Sequence, residues 1–260
     1  MRNTLYGVAV ALVALSLGAG CAGNSLPVDA APDEIVVHAE NELSRGKYLN
    51  AAESLEFFLR TYPGNAQAPR VKLRLGDARF GLREYIVASG YYDDVVRDYP
   101  ASEWVEEARF KIALCAYESI YPYDRDQSET ERAIVLLEEF ERDFPDSKFL
   151  AEAQEALAVG EERLARREFE AGRFYERQKR LRSAYIQYLY VLEKFSDTDW
   201  ARPACFRIAE IYRTRGRLEK AETFYQRVVR EWPTSEEATE AKVHLESLDL
   251  ARVTEPGGGS

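Results

Sequence analysis

The chain has 260 residues, with 35 Lys and Arg against 45 Asp and Glu, and so carries a formal charge of −10, which excludes broad nucleic-acid binding by charge attraction. A hydrophobic content of 46%, with aromatic residues making up 12% of the chain, excludes a largely disordered polypeptide. Its two histidines, His38 and His244, lie more than 200 residues apart, leaving no His-rich metal cluster and no Ser/His or Cys/His couple with a spare base. A scaffold is expected rather than an enzyme, with no cofactor.

Residues 1–20 read as a signal peptide: the cationic Arg2, an apolar stretch from Leu5 to Leu17 that is shorter than a membrane-spanning helix, then small residues. Leu17-Gly18-Ala19-Gly20-Cys21 resembles a bacterial lipobox, in which Cys21 is acylated and begins the mature protein. Ala22 rather than Asp after the cysteine resembles the sorting signal for the outer membrane. Residues 21–33 have the Gly, Ser and Pro content of a flexible tether, reaching at most ~40 Å. Cys115 and Cys205 sit in apolar helical patterns 90 residues apart and are expected to be buried free thiols.

From 34 to 250 one spacing recurs five times: an alanine, an aromatic eleven positions on, then proline. The instances are Ala51/Tyr62/Pro63, Ala88/Tyr99/Pro100, Ala133/Phe144/Pro145, Ala184/Phe195 with Ser196 in the proline place, and Ala221/Trp232/Pro233. Alanine lets two helices approach closely. Leu55, Tyr92, Leu137, Tyr188 and Tyr225 return to the same face four residues later, and Phe58, Val95, Phe140, Val191 and Val228 at seven. Proline ends the helix, and Asn65, Ser102, Ser147, Thr198 or Ser235, two positions beyond, is expected to cap the next. Val71, Ala108, Ala153, Ala204 and Ala241 follow six positions after the cap. Gly46 and Gly216 fall at the turn within a pair, and Gly76 at a close-packed position. The pattern predicts an all-α fold, an α-solenoid of five helix pairs similar to tetratricopeptide repeats, over residues 34–250 with a flexible tail at 251–260.

Proline positions advance by 37, 45, 51 and 37 residues, so two repeats carry insertions. The first surrounds Asp124-Arg125-Asp126, where Asp126 or Ser128 is expected to cap the following helix and the charged run can brace its neighbours. The second predicts a helix extended through 148–180, bent where Gly160 and Gly172 fall. Its Arg163, Arg166, Arg173, Arg177 and Arg180 share one face, either a salt-laced solvent face with Glu162–Arg166 and Glu176–Arg180 pairs or a docking stripe for an acidic partner.

Lipobox, five repeats, Asp124-Arg125-Asp126-Gln127 and the run Leu164-Ala165-Arg166-Arg167-Glu168-Phe169 through Phe174-Tyr175 together resemble the YfiO/ComL family of outer-membrane assembly lipoproteins. The resemblance implies a lipid-anchored adaptor on the periplasmic side of the outer membrane. Its partners would be a BamA-like barrel-inserting protein, other assembly lipoproteins and unfolded outer-membrane proteins, with no nucleic acid. Repeat phase places Arg70, Arg74, Asp77, Phe80, Phe110, Lys111 and Tyr117 on the groove side for an extended peptide, the aromatics being equally suited to core packing. For the barrel-inserting partner, Arg202, Arg207 and Arg213 join the arginine stripe. The competing reading is a periplasmic repeat protein coordinating Tol-Pal and envelope division, which would bring an N-terminal coiled coil; no sustained heptads follow Cys21.

Overall fold

In the computed structural model, residues 30–254 are described, and they form eleven α-helices with no strand among them. The signal peptide, Cys21, most of the tether and the end of the tail lie outside the described residues. Five pairs follow one another: α1 (Pro32–Ser44) with α2 (Tyr48–Thr61), α3 (Ala68–Gly81) with α4 (Tyr85–Asp98), α5 (Val105–Glu118) with α6 (Ser128–Asp143), α7 (Leu150–Arg177) with α8 (Leu181–Lys194), and α9 (Ala201–Thr214) with α10 (Leu218–Glu231). A last helix, α11 (Glu236–Thr254), covers the end and runs four residues into the expected tail. Each helix packs on its neighbours in sequence, and α1 also meets α3, α5 meets α7 and α9 meets α11. First helices therefore approach one another and form the inner wall of the solenoid.

The five-fold spacing has the predicted mechanical role. On every second helix the alanine and the residues four and seven places later are exposed by 1% or less. Tyr62, Tyr99, Phe144, Phe195 and Trp232 each leave the helix, their N–H still donating to the carbonyl four residues back at 2.8–3.1 Å. Phe195 does so with Ser196 after it, so proline reinforces a stop that the backbone can take without it.

Two expectations at helix ends are corrected. Asn65, Ser102 and Ser147 are not helix caps: their side-chain oxygens accept from the N–H two residues on, at 2.9, 3.3 and 3.0 Å, and the helix starts three residues later. Thr198 Oγ1 instead donates back to the Phe195 carbonyl at 2.8 Å. Ser235 alone of the five caps as expected, accepting from the Ala238 N–H at 3.0 Å. The reason is that the first four connections are two consecutive turns, so the polar residue closes the first and cannot also reach the helix amides, whereas the fifth has one turn and Ser235 stands directly before α11. The tether is also shorter than expected. Pro32 opens α1, Glu34 accepts from the Ala31 N–H at 3.1 Å, and Tyr62 Oη donates to the carbonyl of the buried Ala30 at 3.0 Å.

Within four pairs the turn is the same three residues with the middle one left-handed: Gly46 at φ 71°, Arg83 at 61°, Lys179 at 61° and Gly216 at 69°. In each, the next N–H closes onto a carbonyl five residues earlier at 2.9–3.0 Å, so Arg83 and Lys179 hold the glycine geometry against their own side chains. Gly76 and Gly172 serve another purpose. A Cβ on Gly76 would lie 2.4 Å from Tyr92 Cε1, and one on Gly172 would lie 2.5 Å from Tyr188 Cε1, both rings being fully buried.

The long helix α7 has 28 residues, about 42 Å, against 14 in most of the others. It runs unbroken through Gly160 and Gly172, which are places of close approach to Ile134 and Tyr188. Its first half packs Ala153 and Ala156 with α5 and α6, whereas Ala165 and Phe169 belong with α8 to α11. One helix thus ends one stack and begins the next. Cys115 and Cys205 are buried and unpaired, and burial pushes both thiols up to about 12.

Relieving the left-handed strain by Lys179→Gly is expected to raise stability by about 0.5–1 kcal/mol in urea unfolding. Gly172→Ala is expected to lower it, because overpacking of about 1–3 kcal/mol exceeds the ~1 kcal/mol gained in helix propensity. Gly172→Ala with Tyr188→Leu should recover most of that loss, since alanine and leucine hold the equivalent places in the pair α5–α6, at Ala113 and Leu137.

Candidate functional site

The inner wall of the first three pairs carries one connected set of charges. Arg70 of α3 donates to both carboxylate oxygens of Glu40 on α1, at 2.9 and 2.7 Å. One turn on, Arg74 Nη1 reaches Asp77 at 2.7 Å and Glu107 of α5 at 2.8 Å, with its guanidinium 5.3 Å from the Trp104 ring. Lys111 of α5 lies 3.7 Å from Asp77 Oδ1 and 5.8 Å from the Phe80 ring centre, and the buried Tyr92 donates to Asp77 at 2.9 Å. Burial favours the neutral form of Arg74, but Asp77 and Glu107 outweigh it and hold the guanidinium charged. Arg70, Arg74 and Asp77 border a hollow of about 590 Å³ with Glu40, Leu43 and Tyr48.

The structure thus brings Arg70, Arg74, Asp77, Lys111 and Phe80 together. Phe110 is a correction: it is 1% exposed, stacked on Phe149 at 4.9 Å and tilted against Phe140, and belongs to the core. Tyr117 is half-buried against the same cluster. Glu40 and Glu107, which complete the set, were not singled out by sequence. Glu40 sits at the repeat position of Asp77 and Glu107 at that of Arg70, a register signal that comparison of first helices would have exposed.

The arginines of α7 do not act as one stripe. Arg163 Nη1 donates to the Tyr121 carbonyl at 2.9 Å, and Arg166 lies 4.1 Å from the Tyr123 ring and 5.7 Å from that of Trp200, so both hold the loop between α5 and α6. Arg173 pairs with Glu170 at 3.1 Å, while Arg177 and, past the end of α7 in the turn before α8, Arg180 are exposed. The expected Glu162–Arg166 and Glu176–Arg180 pairs do not form. Glu162 accepts from the Asp199 N–H at 3.0 Å, and Glu176 accepts from Tyr188 Oη at 2.7 Å while facing Arg207 at 3.7 Å. On the last two pairs, Arg202 meets Glu237 of α11 at 2.9 Å and Arg213 binds Glu210 at 2.6 and 2.9 Å.

In the loop, Asp126 accepts from the Ser128 N–H at 3.0 Å and from its hydroxyl at 2.7 Å, and these bonds hold its carboxyl below the usual range; the cap place of α6 falls instead to Gln127, with no side-chain capping bond, so neither Asp126 nor Ser128 takes the expected role. Asp124 and Arg125 are exposed and brace no neighbouring helix. The organising residue is Gln127, which is 2% exposed. Its Nε2 donates to the Pro122 and Arg125 carbonyls at 2.8 and 3.1 Å, and its Oε1 accepts from Thr130 at 2.9 Å. Sequence reasoning gave Gln127 no role beyond its place in the family run, because a lone glutamine in a polar run gives no periodic signal.

Among the described residues no group of His, Cys, Asp and Glu could hold a metal ion, and no helix is long and apolar enough to cross a membrane.

The family model described as "Outer membrane lipoprotein" (YfiO) matches residues 28–227. The chain is similar to the outer membrane protein assembly factor BamD of Caulobacter vibrioides, 28% identical over 219 residues, 82% of this chain and 72% of that protein. It is similar also to proteins of the same description from Rickettsia prowazekii, 25% identical over 74% of this chain and 77% of that one, and from Vibrio cholerae, 25% identical over 81% and 92%. The solved structure of a tetratricopeptide-repeat protein from Bacteroides fragilis covers 85% of this chain and 99% of its own, at 14% identity and a TM-score of 0.47.

Glu210 supplies a pH test of the last pair. Burial pushes its carboxyl up, but hydrogen bonds from Arg213 and Tyr225 prevail and hold it below the usual range. A carboxyl depressed in the folded state stabilises fully above its unfolded value, about 4.3, and that contribution is lost as pH falls through the folded value. Glu210→Gln is therefore expected to cost about 1–2 kcal/mol at pH 7, with the two proteins converging in stability once the pH has fallen below the folded value.

Proposed function

This chain belongs to the YfiO family of outer membrane lipoproteins, and from that membership we propose that it is a non-catalytic assembly factor for outer-membrane β-barrel proteins. It is anchored through acylated Cys21 on the periplasmic side of the outer membrane. Its C-terminal repeats hold the periplasmic domains of a barrel-inserting subunit, through Arg202, Arg207, Arg213 and the exposed Arg173, Arg177 and Arg180. Its N-terminal repeats receive unfolded outer-membrane proteins. The relatives named above, each an outer membrane protein assembly factor by description, support the reading.

One observation carries the substrate half. The cations of the inner wall are already paired with Glu40, Asp77 and Glu107, half-buried beside the rings of Phe80 and Trp104. An incoming peptide carboxylate can replace an internal one without creating an unpaired charge, while an apolar side chain lies against the aromatic rings. Exchange of this kind gives weak, reversible capture, because each new ion pair replaces an old one of similar strength. That suits a chain that must be passed on.

Replacing Arg70, Arg74 and Lys111 together by alanine is expected to weaken binding of a synthetic peptide ending in an aromatic residue and a free carboxylate by at least tenfold, read by fluorescence anisotropy. Unchanged affinity removes the N-terminal groove from the reading. A control with Arg207→Ala should leave the peptide's affinity as it was.

A further inference from the structure

The turn between α9 and α10 lies against α8 and closes a hollow of about 370 Å³ whose rim carries Arg182, Arg215, Arg217 and Lys220. All four are exposed, and no acidic side chain lines the hollow. Arg70, Arg74, Lys111, Arg202, Arg207 and Arg213 of the inner wall have carboxylate partners, but none of these four has an ion pair among the described residues. Such a concentration stands out in a chain of formal charge −10, which as a whole repels acidic molecules.

The floor is apolar and ordered. Tyr185 and Tyr212 meet edge to face at 5.5 Å, and Tyr212 stacks on Phe224 at 5.7 Å. Ile211 is buried beneath them, whereas Ile186, at 54% exposed, stands at the edge with its side chain in solvent. Lys220 Nζ lies 5.5 Å from the centre of the Tyr212 ring, which holds that ammonium at the mouth of the hollow. Arg215 and Arg217 flank Gly216, whose φ of 69° fixes the turn and sets the two arginines on either side of it.

We propose that this hollow docks an acidic peptide segment of a protein partner, with one apolar side chain against Ile186 and Tyr185 and carboxylates among the four cations. The inference does not depend on which assembly machine the chain serves. Charge complementarity selects an acidic ligand. The apolar floor selects a peptide over a membrane surface, because a lipid headgroup would leave Ile186 and the rings without a partner. Position agrees: the hollow lies at the edge where first helices turn into second ones, whereas the chain enters α1 at the opposite edge.

The test uses the full chain and a fluorescent nonapeptide of alternating Glu and Phe, its Gln counterpart, and vesicles of phosphatidylglycerol. The Glu peptide is expected to bind, more weakly as salt rises, and the Gln peptide not to bind. Arg182→Glu with Arg215→Glu should reduce the Glu peptide's affinity at least tenfold, and the milder Lys220→Ala should reduce it several-fold. All three sites are exposed, so far-UV circular dichroism is expected to be unchanged. Arg70→Ala with Arg74→Ala should leave this peptide's affinity unaltered, which separates the hollow from the N-terminal groove. The proposal is overturned if the Glu peptide does not bind, if neither variant weakens it, or if the hollow variants abolish binding to phosphatidylglycerol vesicles and not to the peptide.

Discussion

Everything in this solenoid depends on how closely the two helices of each pair can approach. The contact is made at one repeat position of the first helix, occupied by Ala39, Gly76, Ala113, Gly172 and Ala209. The residue that fills it from the second helix is Leu55, Tyr92, Leu137, Tyr188 or Tyr225, all buried. Glycine occurs where a tyrosine ring must enter, and alanine where leucine suffices. Ala209 and Tyr225 are the exception, and there the ring stacks on His244 of the covering helix at 5.1 Å. A single pair buries only one face of each helix, so the contact stabilises the fold only when it recurs through the stack.

The same contact reaches the surface. Three of these core tyrosines extend their hydroxyls between the helices to carboxylates on the inner wall: Tyr92 to Asp77, Tyr188 to Glu176 and Tyr225 to Glu210. Those carboxylates are the ones that hold Arg74 and Lys111, Arg207, and Arg213. Core packing therefore orders the charges of the groove, because moving a ring releases a carboxylate and with it a cation. A recognition surface built this way is held by the core and needs no loop to shape it.

Repeat phase made most of the fold legible, because the alanine, the aromatic and the apolar stripe are local and periodic. What escaped was pairing. Periodicity assigns Arg70 and Arg74 to a face but not to Glu40 and Glu107, which lie 30 or more residues away. Phe110 read equally as groove or core because an aromatic satisfies both, and only the stack on Phe149 decides it. Arg83 and Lys179 show the reverse failure. The turn keeps its left-handed geometry without glycine, since the bond closing it constrains the backbone more strongly than the side chain resists. The role of Gln127 was invisible for a different reason: it satisfies the carbonyls of an irregular loop, and irregular loops have no period.

The two insertions explain each other. Doubling the length of α7 leaves one side of its middle, at Val159, Arg163 and Arg166, open between the two stacks, and the longer connection between α5 and α6 lies there. Arg163 holds the Tyr121 carbonyl, and Arg166 lies against Tyr123 and Trp200. A continuous helix braced at its midpoint transmits orientation between the stacks on either side of it. The two stacks differ in their electrostatics as well. In the first the groove cations are internally neutralised, so a ligand of the proposed kind would exchange with existing partners; near the end of the second, Arg182, Arg215, Arg217 and Lys220 are left without such partners. Paired cations favour turnover and unpaired ones favour retention. With the two binding surfaces proposed above, an exchanging one at one end and a retaining one at the other, such a rod would hold one polypeptide while releasing another.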